Sequence, residues 1–144
     1  MIYGILASAI LLFLLFCYYQ NNKIDITEYR IENKNIINDI KVAQLSDMHS
    51  KPFYNAAEKL REIRPDAIMI TGDYINDHGR NKEKMLQLGK ELLTIAPVFY
   101  ITGNHERRLA YFEDLMQELR KIGFTVLLND ISEEIIGGNS ITVL

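Results

Sequence analysis

The sequence has 144 residues, 48% hydrophobic and 24% charged, a balance that excludes a disordered chain and leaves room for one domain at most. A formal charge of -3 without a basic stripe gives no specific nucleic-acid-binding signal. The single cysteine, Cys17, excludes an intrachain disulfide framework and a Cys-based zinc site.

Ile2 through Tyr19 is an uncharged run broken only by Gly4 and Ser8, about the length a helix needs to cross a bilayer core. Residues 1–22 therefore read as one N-terminal transmembrane helix that engages the membrane through residues 2–19. A cleaved signal peptide is the alternative, but no Lys or Arg precedes the run and Cys17-Tyr18-Tyr19 is bulky for a cleavage site. Tyr18 and Tyr19 suit the interfacial belt, and Lys23, Arg30 and Lys34 favour a cytoplasmic globular part by the positive-inside rule. Cys17 reads as one more apolar residue, with palmitoylation as the alternative.

Residues 23–40 read as a linker and first strand, with Ile24, Ile26, Tyr29 and Ile31 alternating like a half-buried strand and Asn33 to Asn35 forming a turn. The main domain spans residues 41–144. Its strand Lys41 to Leu45 has the apolar character of an internal strand covered on both faces. Ala56, Leu60 and Ile63 give a helix over about Asn55 to Ile63, which Arg64-Pro65 stops. Ala67 to Ile70 is the next strand. Met85, Leu88, Leu92 and Ile95 stripe a helix over Asn81 to Ala96, and Pro97 separates it from the strand Val98 to Ile101. Phe112, Leu115, Met116 and Leu119 mark a helix over Leu109 to Ile122, with Gly123 placed as a left-handed cap. Phe124 to Leu128 is a strand, and Ile135-Ile136 and Ile141 to Leu144 read as arms of a β-meander around Gly137-Gly138.

The order β-α-β-α-β-α-β-β-β predicts an α/β fold, a mostly parallel sheet with helices on both faces and right-handed crossovers. The last apolar strand reaches Leu144 without a polar cap, so a truncated domain is expected.

Three of the strands end in short polar words: Asp47-Met48-His49, Gly72-Asp73 and Gly103-Asn104-His105-Glu106. Ligands bind beyond the carboxyl ends of strands in open α/β sheets, so these words would gather at one rim residue types suited to divalent metals. Singly, Asp47, Asp73 and Asn104 would be turn formers. His78 reads as a solvated loop residue on the same rim, and Arg107 and Arg108 as the start of a solvated helix or as phosphate contacts.

In order and spacing the three words resemble the opening half of the calcineurin-like metallophosphoesterase signature, over about Val42 to Leu144. The apolar N-terminus and Thr71-Gly72-Asp73-Tyr74 look most like its small bacterial membrane-associated phosphodiesterase branch. The resemblance implies half of a metallophosphoesterase β-sandwich and hydrolysis of a phosphate ester, diester or monoester, by water activated at two divalent ions (Mn, Fe, Zn or Co). It implies Asp47 and His49 on the first metal, Asp73 as the bridge and Asn104 on the second. His105 is similar to the family's catalytic histidine that stabilises charge or protonates the leaving alkoxide, and Glu106 would orient a neighbour.

The family completes its site with a Gly-His pair and a Gly-His-x-His word, whereas this sequence holds only His49, His78 and His105. The chain as given is therefore expected to be weakly active or inactive. The rival reading is a noncatalytic membrane-tethered remnant that binds metal, a phosphate compound or a partner protein through an exposed sheet edge. A domain too incomplete to fold stably is the third.

Overall fold

Four apolar runs become four parallel strands, and the loops at their carboxyl ends carry the polar words. The computed structural model describes residues 2–51, 53 and 55–144, in two units, Met1–Ile31 and Glu32–Leu144.

The first unit contains helix α1, Ile2–Asn22, and none of its residues is buried. It is long and apolar enough to cross a membrane, and a signal sequence near an N-terminus meets the same description. The alternating run from Ile24 to Ile31 does not form the expected strand: it is extended coil with Ile26, Tyr29 and Ile31 exposed. A strand needs a neighbour to satisfy its backbone N–H and C=O groups, and alternation alone does not provide one.

In the second unit β1 (Val42–Leu45), α2 (Ala56–Ile63), β2 (Ala67–Thr71), α3 (Lys82–Leu93), β3 (Val98–Ile101), α4 (Phe112–Ile122) and β4 (Thr125–Leu127) alternate. The sheet order is β1-β2-β3-β4, with every pair parallel. Successive right-handed crossovers that always step the same way put their helices on the same side of a sheet. Accordingly α2 packs on α3 and α3 on α4 in one layer, which corrects the expectation of helices on both faces. Ile68, Ile70, Val98, Tyr100 and Val126 point into this layer and are buried with Met85, Leu88, Leu92, Leu115, Met116 and Leu119. Each such aliphatic side chain contributes about 1.5 to 3 kcal/mol by leaving water.

The opposite face is covered by the antiparallel hairpin β5 (Ser132–Ile136) and β6 (Asn139–Val143), a separate two-stranded sheet rather than a meander continuing the first. Its two-residue Gly137-Gly138 turn has positive φ at both positions, the geometry that matches strand twist. Ile136 and Val143 pack on Ala67, Phe99 and Leu127. The buried Asn139 ties the hairpin down: its Oδ1 accepts from the N–H of Ile37 and of Asn38, and its Nδ2 donates to the Asn38 carbonyl. The hairpin contacts β2 to β4 but stops short of β1, where Val42 and Gln44 are exposed. β1 is thus an edge strand covered on one face, not the internal strand its apolar run suggested.

Helix ends follow local chemistry. α2 closes on Arg64 in the left-handed conformation before Pro65, and α4 on Gly123 at φ 114°. α3 ends at Leu93 rather than Ala96, since Pro97 disfavours helical geometry just before it. α4 begins at Phe112 rather than Leu109, because Leu109, which closes a 3₁₀ turn over Glu106–Arg108, is extended.

Candidate metal centre

The carboxyl ends of β1, β2 and β3 lie side by side, and their loops are joined by backbone hydrogen bonds. The N–H of Asp47 donates to the Gly72 carbonyl (3.2 Å), that of His49 to Asp73 (2.8 Å) and that of Ser50 to Tyr74 (3.0 Å). Such zipping needs backbone that ordinary strands do not supply: Asp47, His49, Ser50 and Asp73 all have φ between 48° and 61°. A cluster of non-glycine residues in this sparsely populated region persists only where the surroundings over-determine it.

The glycines set how closely the second and third words approach. A Cβ on Gly72 would lie 2.8 Å from the Cα of Gly103, and one on Gly103 would lie 2.0 Å from Oδ1 of Asp73. With no Cβ at either position the two loops touch backbone to backbone, and the His105 N–H donates to Asp73 Oδ1 at 3.0 Å.

His49, Asp73 and His105 converge, with one donor atom from each within 4.8 Å of the others. The imidazoles meet edge to face, ring centres 4.6 Å apart. Nε2 of His105 is 3.9 Å from Asp73 Oδ2. Asp47 adjoins the group through His49, whose Nε2 is 3.8 Å from Asp47 Oδ1, and its own side chain is largely exposed. Asn104 occupies the turn between Gly103 and His105 and is exposed. His105, expected as the catalytic histidine, lies against His49 and Asp73.

Two residues that the sequence reading did not use complete the surroundings. Asp77 Oδ1 lies 3.6 Å from Nδ1 of His105, a buried nitrogen with no hydrogen-bond partner among the described residues, while Asp77 Oδ2 lies 3.9 Å from Arg108. No motif spacing marked Asp77; the signal was its loop, Asn76-Asp77-His78-Gly79, already placed on this rim. Ser50, fully buried, accepts the Asn76 N–H on its hydroxyl and fixes that loop. His78 contacts Asp77 at 3.7 Å but is mostly solvated, and Arg107 binds the Thr102 hydroxyl.

The donor set fits a divalent cation. Two imidazoles and a carboxylate are the ligand types that borderline metals take, and neighbouring carboxylates favour a positive ion among them. Nε2 of His105 and Oδ2 of Asp73 face each other at 3.9 Å, beyond hydrogen-bond range, a geometry that a shared ion would satisfy.

A family profile described as calcineurin-like phosphoesterase matches residues 40–141. A protein of Aquifex aeolicus (strain VF5), described as an uncharacterized metallophosphoesterase, is 30% identical over 119 residues, covering 75% of this chain and 44% of its own length. The chain thus spans less than half the length of that curated relative. No solved structure matches. With the family profile laid over β1 to β6 and all three polar words inside it, the chain belongs to the calcineurin-like phosphoesterase family.

Proposed function

We propose that the chain is a metal-dependent phosphoesterase of the membrane-associated phosphodiesterase branch, hydrolysing a phosphodiester or phosphomonoester with water as nucleophile. The observation that supports this most is the convergence of His49, Asp73 and His105 at the ends of three adjacent strands. In this reading Asp47, His49, Asp73 and Asn104 hold two divalent ions, with Asp73 between them. Bound there, the ions would supply Lewis-acid polarisation of the phosphoryl group and a water of lowered pKa. His105 delivers a proton to the leaving alkoxide, and Asp77 orients its ring through Nδ1. α1 tethers the domain to the cell membrane, with the globular part on the cytoplasmic side.

His78, the remaining histidine of the sequence, is 70% exposed in its side chain, and Asn104 and Asp47 are open to solvent. So sparse a donor set supports low activity for this chain on its own. It also keeps a second reading, a noncatalytic membrane-tethered protein that binds metal, a phosphate compound or a partner along the open β1 edge. Hydrolysis of bis-p-nitrophenyl phosphate by the full chain in detergent, with and without Mn²⁺, separates the two. Metal-dependent turnover that Asp73→Asn abolishes supports the enzyme; a folded chain that binds Mn²⁺ without turnover supports the noncatalytic protein.

A further inference from the structure

Glu106 is completely buried, an unusual place for a carboxylate, and the metal-centre reading gives it no ligand role. Its oxygens are nonetheless occupied. Oε2 accepts the N–H of Gly103 at 3.0 Å and of Asp73 at 3.1 Å, and Oε1 accepts the N–H of Ile75 at 2.9 Å. One of these donors belongs to the third polar word and two to the loop of the second. In the reverse direction Asp73 Oδ1 accepts the His105 N–H. Each loop therefore offers a carboxylate to the other's backbone, across a gap that Gly72 and Gly103 keep free of side chains.

We propose that Glu106 is a positioning residue for the metal centre: its carboxylate clamps the β2 loop against the β3 loop, and by that clamp Asp73 is held where it can meet an ion and His105 is held beside it. The proposal rests on the metal-centre reading given above. Charge-assisted bonds from three amides hold the carboxylate away from water, and they fix the Asp73 backbone in its left-handed conformation. Without the clamp the Asp73 and His105 loops retain only their reciprocal contact. The donor atoms then sample geometries too loose for a shared cation, while the hydrophobic layers on the two faces of the sheet stay packed.

The test is a Co²⁺ titration of the full chain in detergent, followed by visible absorption, beside amide hydrogen exchange of the metal-free protein. Glu106→Gln keeps the side chain's shape but turns one acceptor oxygen into an NH₂ group facing an amide donor. Its Co²⁺ affinity should fall about tenfold or more, as for other residues that orient ligands. Val98→Ala, a core change at the opposite end of β3, should lower the melting temperature and leave Co²⁺ affinity unaltered. Wild-type affinity and spectrum in Glu106→Gln, or an equal loss in Val98→Ala, overturns the proposal. Should Glu106→Gln not fold, exchange in the wild type decides: the amides of Asp73, Ile75 and Gly103 should exchange together as one slow group. Independent exchange at fast loop rates overturns it. A wild-type chain that takes up no Co²⁺ would defeat the metal-centre reading, and the exchange result would still decide whether the clamp exists.

Discussion

Asp77 stands 3.6 Å from Nδ1 of His105, on the far side of the imidazole from Asp73. A carboxylate in that position selects which ring nitrogen carries the proton and which way the ring faces. If His105 is the proton donor to the leaving group, Asp77→Asn should lower kcat by roughly ten- to a hundredfold, the usual cost of losing a group that orients a functional histidine, with KM little changed. Steady-state kinetics on bis-p-nitrophenyl phosphate checks this. An unchanged kcat, or a loss confined to KM, would remove Asp77 from the mechanism.

Metal should stabilise the fold as well as support turnover, because an ion that binds only the folded chain raises its stability by mass action. At a free concentration a hundred times Kd the gain is about 2.7 kcal/mol. Addition of Mn²⁺ should therefore raise the melting temperature of the wild-type chain, and EDTA should reverse the rise. Asp73→Asn, which removes the one carboxylate of the donor trio, should melt at the same temperature with or without Mn²⁺. The measurement is independent of any substrate.

Gly103→Ala is expected to disturb the site and the fold together. The new Cβ would fall 2.0 Å from Asp73 Oδ1 and 2.4 Å from the Asp73 amide nitrogen, where backbone cannot yield cheaply. Overpacking of this kind costs typically about 1 to 3 kcal/mol, read as a lower midpoint of thermal or urea unfolding. Gly4→Ala, with open space around its Cβ, should leave the midpoint where it is.

The sequence made β2, β3 and β4 legible because each run is bounded by Pro or Gly, and the donors legible because each follows an apolar run. What it hid depends on partners distant in the chain. Val42 to Leu45 carries the same apolar pattern whether or not a hairpin covers both its faces, and Ile24 to Ile31 alternates whether or not a neighbouring strand exists. The single helix layer follows from the order in which β1 to β4 are laid down, which periodicity does not contain. The role of Asp77 and the partners of Glu106 were hidden for a related reason. Asp77 acts across 28 residues on His105, and the value of Glu106 lies in amides 31 and 33 residues before it.

Tyr74 and Tyr100 are fully buried, and loss of water raises the phenol pKa of both above the ordinary value of 10.0, with the charge of Glu106 adding to the effect at Tyr100. The sign follows from which state holds the protons. Above the unfolded value an unfolded chain releases both, whereas the folded chain keeps them, so the stability contribution is complete below pH 10 and is lost as pH climbs toward the folded values. Tyrosinate absorbance from these two residues should thus appear only together with unfolding. Their phenylalanine variants should differ at neutral pH. Tyr74 donates to the Met85 carbonyl at 2.6 Å, so Tyr74→Phe should cost about 1 kcal/mol or slightly more by stranding that acceptor. The Tyr100 hydroxyl lies beside the Glu106 carboxylate but makes no hydrogen bond of good geometry among the described residues, so Tyr100→Phe should cost less at neutral pH than Tyr74→Phe while moving alkaline unfolding to higher pH. Urea unfolding across a pH series reads both effects, and a neutral-pH loss in Tyr100→Phe as large as that in Tyr74→Phe would mean that the Tyr100 hydroxyl is bonded after all.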